Sequence, residues 1–287
     1  MIDRSSARRL ATQVGHVARQ ELLWLRRGWT VPTVAVLFVC SIVSIVRQAA
    51  PPGPGGQPLT VLALVPNGGS LSSTAIILFT LGRALTLLLP LVVVILTAGT
   101  LAGDSEAGRL RTIQTFPVSR RAVVGGKLLA RSAVVGSVVV LGLVAGALTS
   151  WFQFGVTDPV SYGLFLLVSV GFALSLTGTT VAVSTLVAAR SQAVALSLGP
   201  FLVFAFLGVD PGVPSVLRTG LLVQPYQLLV AGTHNQLVAI PRVMATARPQ
   251  APLGGLVLSD GVSFCALFAW PITLLILAVG RYCQRDL

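Results

Sequence analysis

Long apolar runs alternate with short polar segments along most of this chain. An apolar stretch of about 18 residues or more with few charges is typical of a transmembrane helix. The pattern predicts an all-α membrane protein with six transmembrane helices. The predicted spans lie at about residues 31–48, 73–103, 123–150, 162–189, 193–209 and 262–279. The second is longer than a bilayer requires, so we expect it to tilt or to kink at Pro90.

The segment before the first run, residues 1–29, is basic and amphipathic. Apolar residues recur at helical spacing from Leu10 to Leu25, with arginines around them. Trp24 and Trp29 suit the membrane interface, where an indole ring lies partly in water. We predict an N-terminal amphipathic helix along the inner leaflet. A solvated basic tail is the alternative interpretation.

Two polar stretches are expected outside the cell. Residues 51–58 are too rich in proline and glycine to form a helix. Residues 210–260 contain several prolines and an amphipathic piece at 220–239. We predict that 210–260 forms an extracytoplasmic helical segment between spans five and six, with one or two helices at the surface.

The distribution of basic residues predicts how the chain is oriented in the membrane. The chain is 54% hydrophobic and 10% charged, with a net charge of +12, whereas soluble proteins carry about 25% charged residues. Fifteen lysines and arginines fall on one predicted side of the membrane and four on the other. Because basic residues favour the cytoplasmic side, both termini are predicted to be cytoplasmic. The excess charge then reflects topology and contact with anionic lipid, and no nucleic-acid partner is indicated. We treat residues 30–287 as one six-span membrane domain.

The sequence offers little chemistry of its own. Its eight acidic residues all lie outside the centres of the predicted spans, so coupling to an ion gradient through a membrane-buried carboxylate is not expected. Two histidines and three isolated cysteines give neither a catalytic set nor a metal site. Gly125-Gly126-Lys127 lacks the preceding glycine and the following Ser or Thr of a P-loop. We therefore predict no enzyme activity, no metal and no cofactor on this chain.

Arg83 is the one ionisable residue well inside an apolar run. If the second span begins near Ser73, Arg83 lies roughly 15 Å below its outer end. One interpretation is a charge that faces a cavity or pairs across a dimer. The other is that the membrane begins nearer Ala84 and the arginine snorkels outward.

The polar insert DSEAGRLRTIQTFPVSRRAVVGGK, residues 104–127, separates spans two and three. Asp104 and Glu106 fall at a helix start, where carboxylates complement the helix dipole. Pro117 stops that helix, and Ser119 is placed to cap the next one. An apolar ridge of suitable spacing for a partner's cleft is formed by Leu110, Ile113 and Phe116.

With six predicted spans around it, this insert resembles that of permease subunits of type-2 ATP-binding-cassette exporters. The matching residues are Glu106, Gly108, Leu110, Pro117, Val118, Ser119, Arg120, Gly126 and Lys127. The resemblance implies that residues 104–117 form a coupling helix on which a separate ATPase docks. The docking and coupling residues that it suggests are Asp104, Glu106, Gly108, Leu110, Ile113, Phe116, Pro117, Arg120, Arg121 and Lys127.

The resemblance also implies a multi-pass protein of a prokaryotic cell membrane that acts as the permease of an ATP-driven exporter. It would work beside two copies of a cytoplasmic ATPase, which would bind ATP and Mg²⁺. A second copy of the chain or a sister permease would complete it. The alternative is a membrane channel or scaffold subunit without an ATPase. The transported substrate is not indicated by the sequence.

Overall fold

The computed structural model describes residues 4–49, 72–108, 119–155, 158–206, 223–233, 237 and 260–284. Within these ranges the backbone is helical. The helices are α1 Arg4–Arg27, α2 Thr30–Gln48, α3 Ser73–Thr97, α4 Ala102–Glu106, α5 Arg120–Phe154, α6 Pro159–Leu186, α7 Arg190–Phe206, α8 Val223–Gly232 and α9 Asp260–Gln284.

Among the described residues, five helical stretches are long and apolar enough to cross a membrane. They are α2, α3 with α4, α5, α6, and the Leu267–Gln284 part of α9. The predicted span at 193–209 corresponds to α7, which has 17 described residues and is too short to meet the same length criterion. The described residues therefore confirm the helical class, with no strand among them and with five stretches of membrane-spanning length, and the sixth span remains a prediction.

Three helices, α3, α5 and α6, have ends that differ from those of the predicted spans. α5 is 35 residues long, about 52 Å at 1.5 Å per residue, and extends well past a hydrocarbon core of about 30 Å. α3 continues through Pro90 and ends at Thr97. α6 ends at Leu186, because the following Val187 is extended, so the turn into α7 comes earlier than predicted.

α3 contributes the largest share of the buried core, and α5 packs against α1, α2 and α6. Gly142 and Gly146 let α2 approach closely. A Cβ at Gly142 would lie 2.5 Å from the Phe38 ring, and one at Gly146 would lie 2.8 Å from Ile42. This small-residue pair therefore packs inside the chain, where close approach stabilises helix pairs in membranes.

The outer segment is less superficial than predicted. α8 packs against α9, α3 and α6. Tyr226 is fully buried, stacks on Phe172 with ring centroids 4.3 Å apart, and shares a hydrogen bond of 3.2 Å with Ser169. One turn further along the same face of α8, Val230 contacts α3, where a Cβ at Gly82 would lie 2.9 Å from it. The piece predicted as a surface helix is thus wedged between helices, and the rest of 210–260 lies almost entirely outside the described residues.

Candidate functional site

The start of the polar insert is held by a serine from another helix. Four residues separate α3 from α4. The Ser184 hydroxyl accepts hydrogen bonds from the backbone N–H groups of Leu101 (3.1 Å) and Ala102 (3.0 Å), and it donates one to the Ala98 carbonyl (2.9 Å). Ser184 is 1% exposed. One side chain of α6 therefore satisfies the backbone groups that the helix break releases.

The helix at the start of the insert is shorter than the predicted coupling helix 104–117. α4 ends at Glu106, and Gly108 follows with φ of 70°. The Gly108 N–H bonds to the Ser105 carbonyl at 3.0 Å. A glycine adopts this left-handed conformation without steric penalty, which makes it a common helix terminator. The helical turn from Asp104 to Glu106 therefore does not run without a break into residues 109–118, which lie outside the described residues.

Glu106 reaches the first residue of α7. Its Oε2 accepts a hydrogen bond of 3.0 Å from the Arg190 backbone N–H. The first N–H groups of a helix have no partner within the helix and carry its positive dipole end, so a carboxylate there is stabilising. Glu106 thus joins the end of α4 to the start of α7.

Lys127 is buried near the start of α5, with 4% of its surface exposed. Its ammonium donates to an Asp104 carboxylate oxygen, to the Thr100 carbonyl at 3.1 Å and to Glu21 Oε2 at 3.5 Å. Three donors meet three acceptors, so the charge is fully compensated despite burial. The side chain joins α1, the α3–α4 break and α5.

Arg131 lies one helical turn further along α5 and completes the group. Its Nη2 donates to Glu21 Oε1 at 2.7 Å, and its Nη1 donates to the Leu96 carbonyl at 2.5 Å. We call Glu21, Asp104, Lys127 and Arg131 the ionic cluster. Two carboxylates and two cations balance, and all four side chains are at most 15% exposed.

The α1 helix is seated on α5 by close packing as well as by charge. A Cβ at Gly126 would lie 2.6 Å from Val17 Cβ and 2.9 Å from the Val14 carbonyl oxygen. Ser119 caps α5 by accepting from the Ala122 N–H at 3.2 Å, as predicted, and it also donates to Gln13 at 3.2 Å. In Gly125-Gly126-Lys127, the glycines therefore allow α1 to pack closely against α5.

The structure places the predicted site residues in different surroundings. Asp104, Glu106 and the buried Lys127 make the contacts described above. Arg120 donates to the Tyr282 carbonyl at 3.4 Å, and Arg121 is exposed. Arg83 is exposed on α3. The residues outside the described ranges are Leu110, Ile113, Phe116 and Pro117.

Sequence reasoning missed Glu21, Arg131 and Ser184. Glu21 did leave a signal, because it is the sole acidic residue of α1, within an otherwise basic helix. Lys127 is likewise the single lysine of the chain. Ser184 gave no signal, since it is one of many small polar residues in an apolar span.

Nothing in the described part of the chain indicates a metal centre, because its His, Cys, Asp and Glu residues form no group of three or more suited to hold an ion. The groups that do converge are ion pairs and helix caps. Such contacts hold helices together at one end of a bundle. They are suited to transmit force between helices.

The described part of the chain is a bundle that includes five helices of membrane-spanning length, with the ionic cluster at the start of the polar insert. The sequence model of the family described as "ABC-2 family transporter protein" matches residues 16–287. The chain therefore belongs to the ABC-2 transporter family, and it is a membrane transport subunit. A comparison with curated proteins gave no match.

Proposed function

We propose that this chain is the permease subunit of an ATP-driven exporter, and that a separate ATPase docks on residues 104–117, which we call the coupling segment. The supporting observation is that α4, which leads into the coupling segment, is bonded to three different parts of the bundle. Asp104 bonds to Lys127 of α5, Glu106 bonds to the start of α7, and Ser184 of α6 fixes the backbone at Ala102.

Through these bonds, a force that a docked ATPase exerts on the coupling segment would reach α5, α6 and α7. A force applied at residues 109–118 acts on α4 on one side and on the Ser119-capped start of α5 on the other. The ionic cluster ties both to α1 through Glu21. Rigid helices joined at such points move as bodies, which is how ligand-driven domain motions are commonly transmitted.

The translocation path is proposed to lie beside α3. This helix is mostly buried, yet Arg83, Leu87, Leu91 and Ile95 form an exposed stripe at four-residue spacing. Ten helical residues precede Arg83 within α3, about 15 Å of helix. Because an arginine in lipid is costly, the stripe is better suited to a water-filled path or to the face of a second permease.

The assembly that follows contains two permeases and two ATPase copies in a prokaryotic cell membrane. The second permease is another copy of this chain or a sister subunit. ATP and Mg²⁺ bind to the ATPase. The permease contributes the path and receives the motion.

Co-purification tests the docking surface. The tagged permease is co-expressed with the ABC ATPase subunits of its source genome, and the retained ATPase is quantified. Leu110→Asp places a charge on the apolar ridge and is expected to reduce retention at least tenfold. Arg27→Gln, an exposed change in the last turn of α1, about 21 Å along the helix from the Gln13 that bonds to Ser119, is the control and is expected to retain the ATPase. If no ATPase is retained by the wild-type chain, an uncoupled channel or scaffold subunit is the better explanation.

A further inference from the structure

A large open cavity lies between α1 and the α3–α4 break. Its volume is about 1270 Å³, more than the 300–1,000 Å³ typical of small-molecule sites. Its wall on the α1 side includes Arg19 and the apolar side chains of Leu23 and Trp24. Trp24 is 58% exposed, as expected for an indole at a membrane interface.

The charges of the cavity wall are not balanced once existing contacts are taken into account. Its three carboxylates already have partners. Glu21 and Asp104 belong to the ionic cluster, and Glu106 accepts from the start of α7. Arg19 and Arg190 also line the wall, and within the described residues neither side chain forms an ion pair. The remaining charge of the cavity is therefore positive.

Arg190 can lie along the cavity wall because Gly99 has no side chain. Its stem crosses Gly99, where a Cβ would lie 3.1 Å from Arg190 Nε and 3.3 Å from its Cδ. Gly103, also in the wall, faces the same stem. The two glycines of the α3–α4 region thus leave room for the guanidinium-bearing chain to lie along the cavity wall.

We propose that this cavity binds the phosphate-bearing headgroup of an anionic phospholipid from the inner leaflet. Guanidinium groups bind phosphate through paired N–H donors, and Arg19 of α1 and Arg190 of α7 supply them in the cavity wall. Leu23 and Trp24 offer an apolar edge for the glycerol and the first acyl carbons. An amphipathic helix such as α1, with Trp24 exposed and Trp29 exposed just after it, is suited to lie at a leaflet surface, where such a lipid is available. The lipid would bridge α1 and α7 at the level of the ionic cluster.

Native mass spectrometry of the purified chain, equilibrated with equal phosphatidylglycerol and phosphatidylcholine, tests this site. We expect selective retention of phosphatidylglycerol by the wild type. Each of Arg19→Gln and Arg190→Gln is expected to reduce retention about fivefold. Gly99→Val, which displaces Arg190 without removing its charge, should reduce retention as well. The double change Arg8→Gln and Arg9→Gln removes two charges from α1 outside the cavity and should preserve it.

Three results would overturn the proposal. One is equal retention of phosphatidylglycerol by the cavity variants and the control. Another is displacement of the lipid by inorganic phosphate at millimolar concentration, which would assign the cavity to a soluble phosphate. The third is no lipid selectivity, together with protection of Arg190 from phenylglyoxal only when the ATPase is bound, which would assign the cavity to that subunit. The lipid measurement uses the permease alone, so it is independent of the ATPase proposal.

Discussion

Removal of the Lys127 ammonium tests the ionic cluster directly. In Lys127→Met the apolar stem is kept, but the Asp104 carboxylate and the Thr100 carbonyl lose the hydrogen bonds that the Lys127 ammonium donates to them. Glu21 keeps its bond of 2.7 Å to Arg131, so the damage falls mainly on Asp104.

The expected loss follows from the burial of these groups. Removing one partner of a buried ion pair costs about 3–5 kcal/mol, because the other charge is left without compensation. The Asp104 side chain is 15% exposed, so some water reaches it, and we expect a value near the lower limit, about 3 kcal/mol. Asp104→Asn combined with Lys127→Met leaves no unpaired charge at this bond. The double variant should therefore lose less than the sum of the single variants, with a coupling of about 2 kcal/mol.

The assay is reversible unfolding of the purified chain in mixed micelles, followed by circular dichroism. Arg121→Gln is the matched control, since it removes an exposed positive charge from the same helix, and it should change the free energy of unfolding by no more than about 0.5 kcal/mol. The reasoning would be refuted if Lys127→Met were as stable as this control, or if the two changes of the double variant were strictly additive.

Three further changes probe the contacts around the cluster. Ser184→Ala leaves two buried N–H groups unpaired at the helix break, and it should lower the free energy of unfolding by about 1–3 kcal/mol in the same assay. Ser137→Ala is the control and should change it little, because the Ser137 hydroxyl bonds only to its own helix. Gly126→Leu forces α1 away from α5 and should make α1 cleavable by protease in the otherwise folded protein; Gly136→Leu, with no atom within 4 Å of an added Cβ, should leave α1 protected. Tyr226→Phe keeps the stack on Phe172 but removes the hydrogen bond to Ser169, and it should lower the free energy of unfolding by about 1 kcal/mol. Tyr226→Ala also removes the stacked ring and should lower it by about 3–5 kcal/mol. Equal losses for the two variants would contradict the packing of α8.

The sequence predicted the helical class and most span positions because membrane-length apolar runs are a strong signal. It predicted the Ser119 cap for a similar reason, since the cap depends on neighbours in the chain. The end of α4 at Glu106 was missed, although Gly108 offered a local signal for it. The buried position of α8 was also missed, because the pattern at 220–239 is amphipathic and does not show that Tyr226 enters a gap between α3, α6 and α9.

The ionic cluster was beyond sequence reasoning for a different reason. Its members are separated by up to 110 residues in the chain, as between Glu21 and Arg131. The local sequence pattern does not show whether Lys127 is buried against Asp104 or exposed as a docking residue. The unusual composition of α1, with one carboxylate among arginines, was the available clue, and it indicates a partner without identifying it.

ATP hydrolysis by the reconstituted complex is the measurement that most directly tests whether motion passes from the coupling segment through the ionic cluster. The ATPase is reconstituted with wild-type permease, with Asp104→Asn or with Arg27→Gln, an exposed change in the last turn of α1, at equal bound amounts. The account predicts that Asp104→Asn still binds the ATPase but loses most of the permease-dependent stimulation of hydrolysis, and that Arg27→Gln keeps it. Full stimulation by the Asp104→Asn complex would contradict the account.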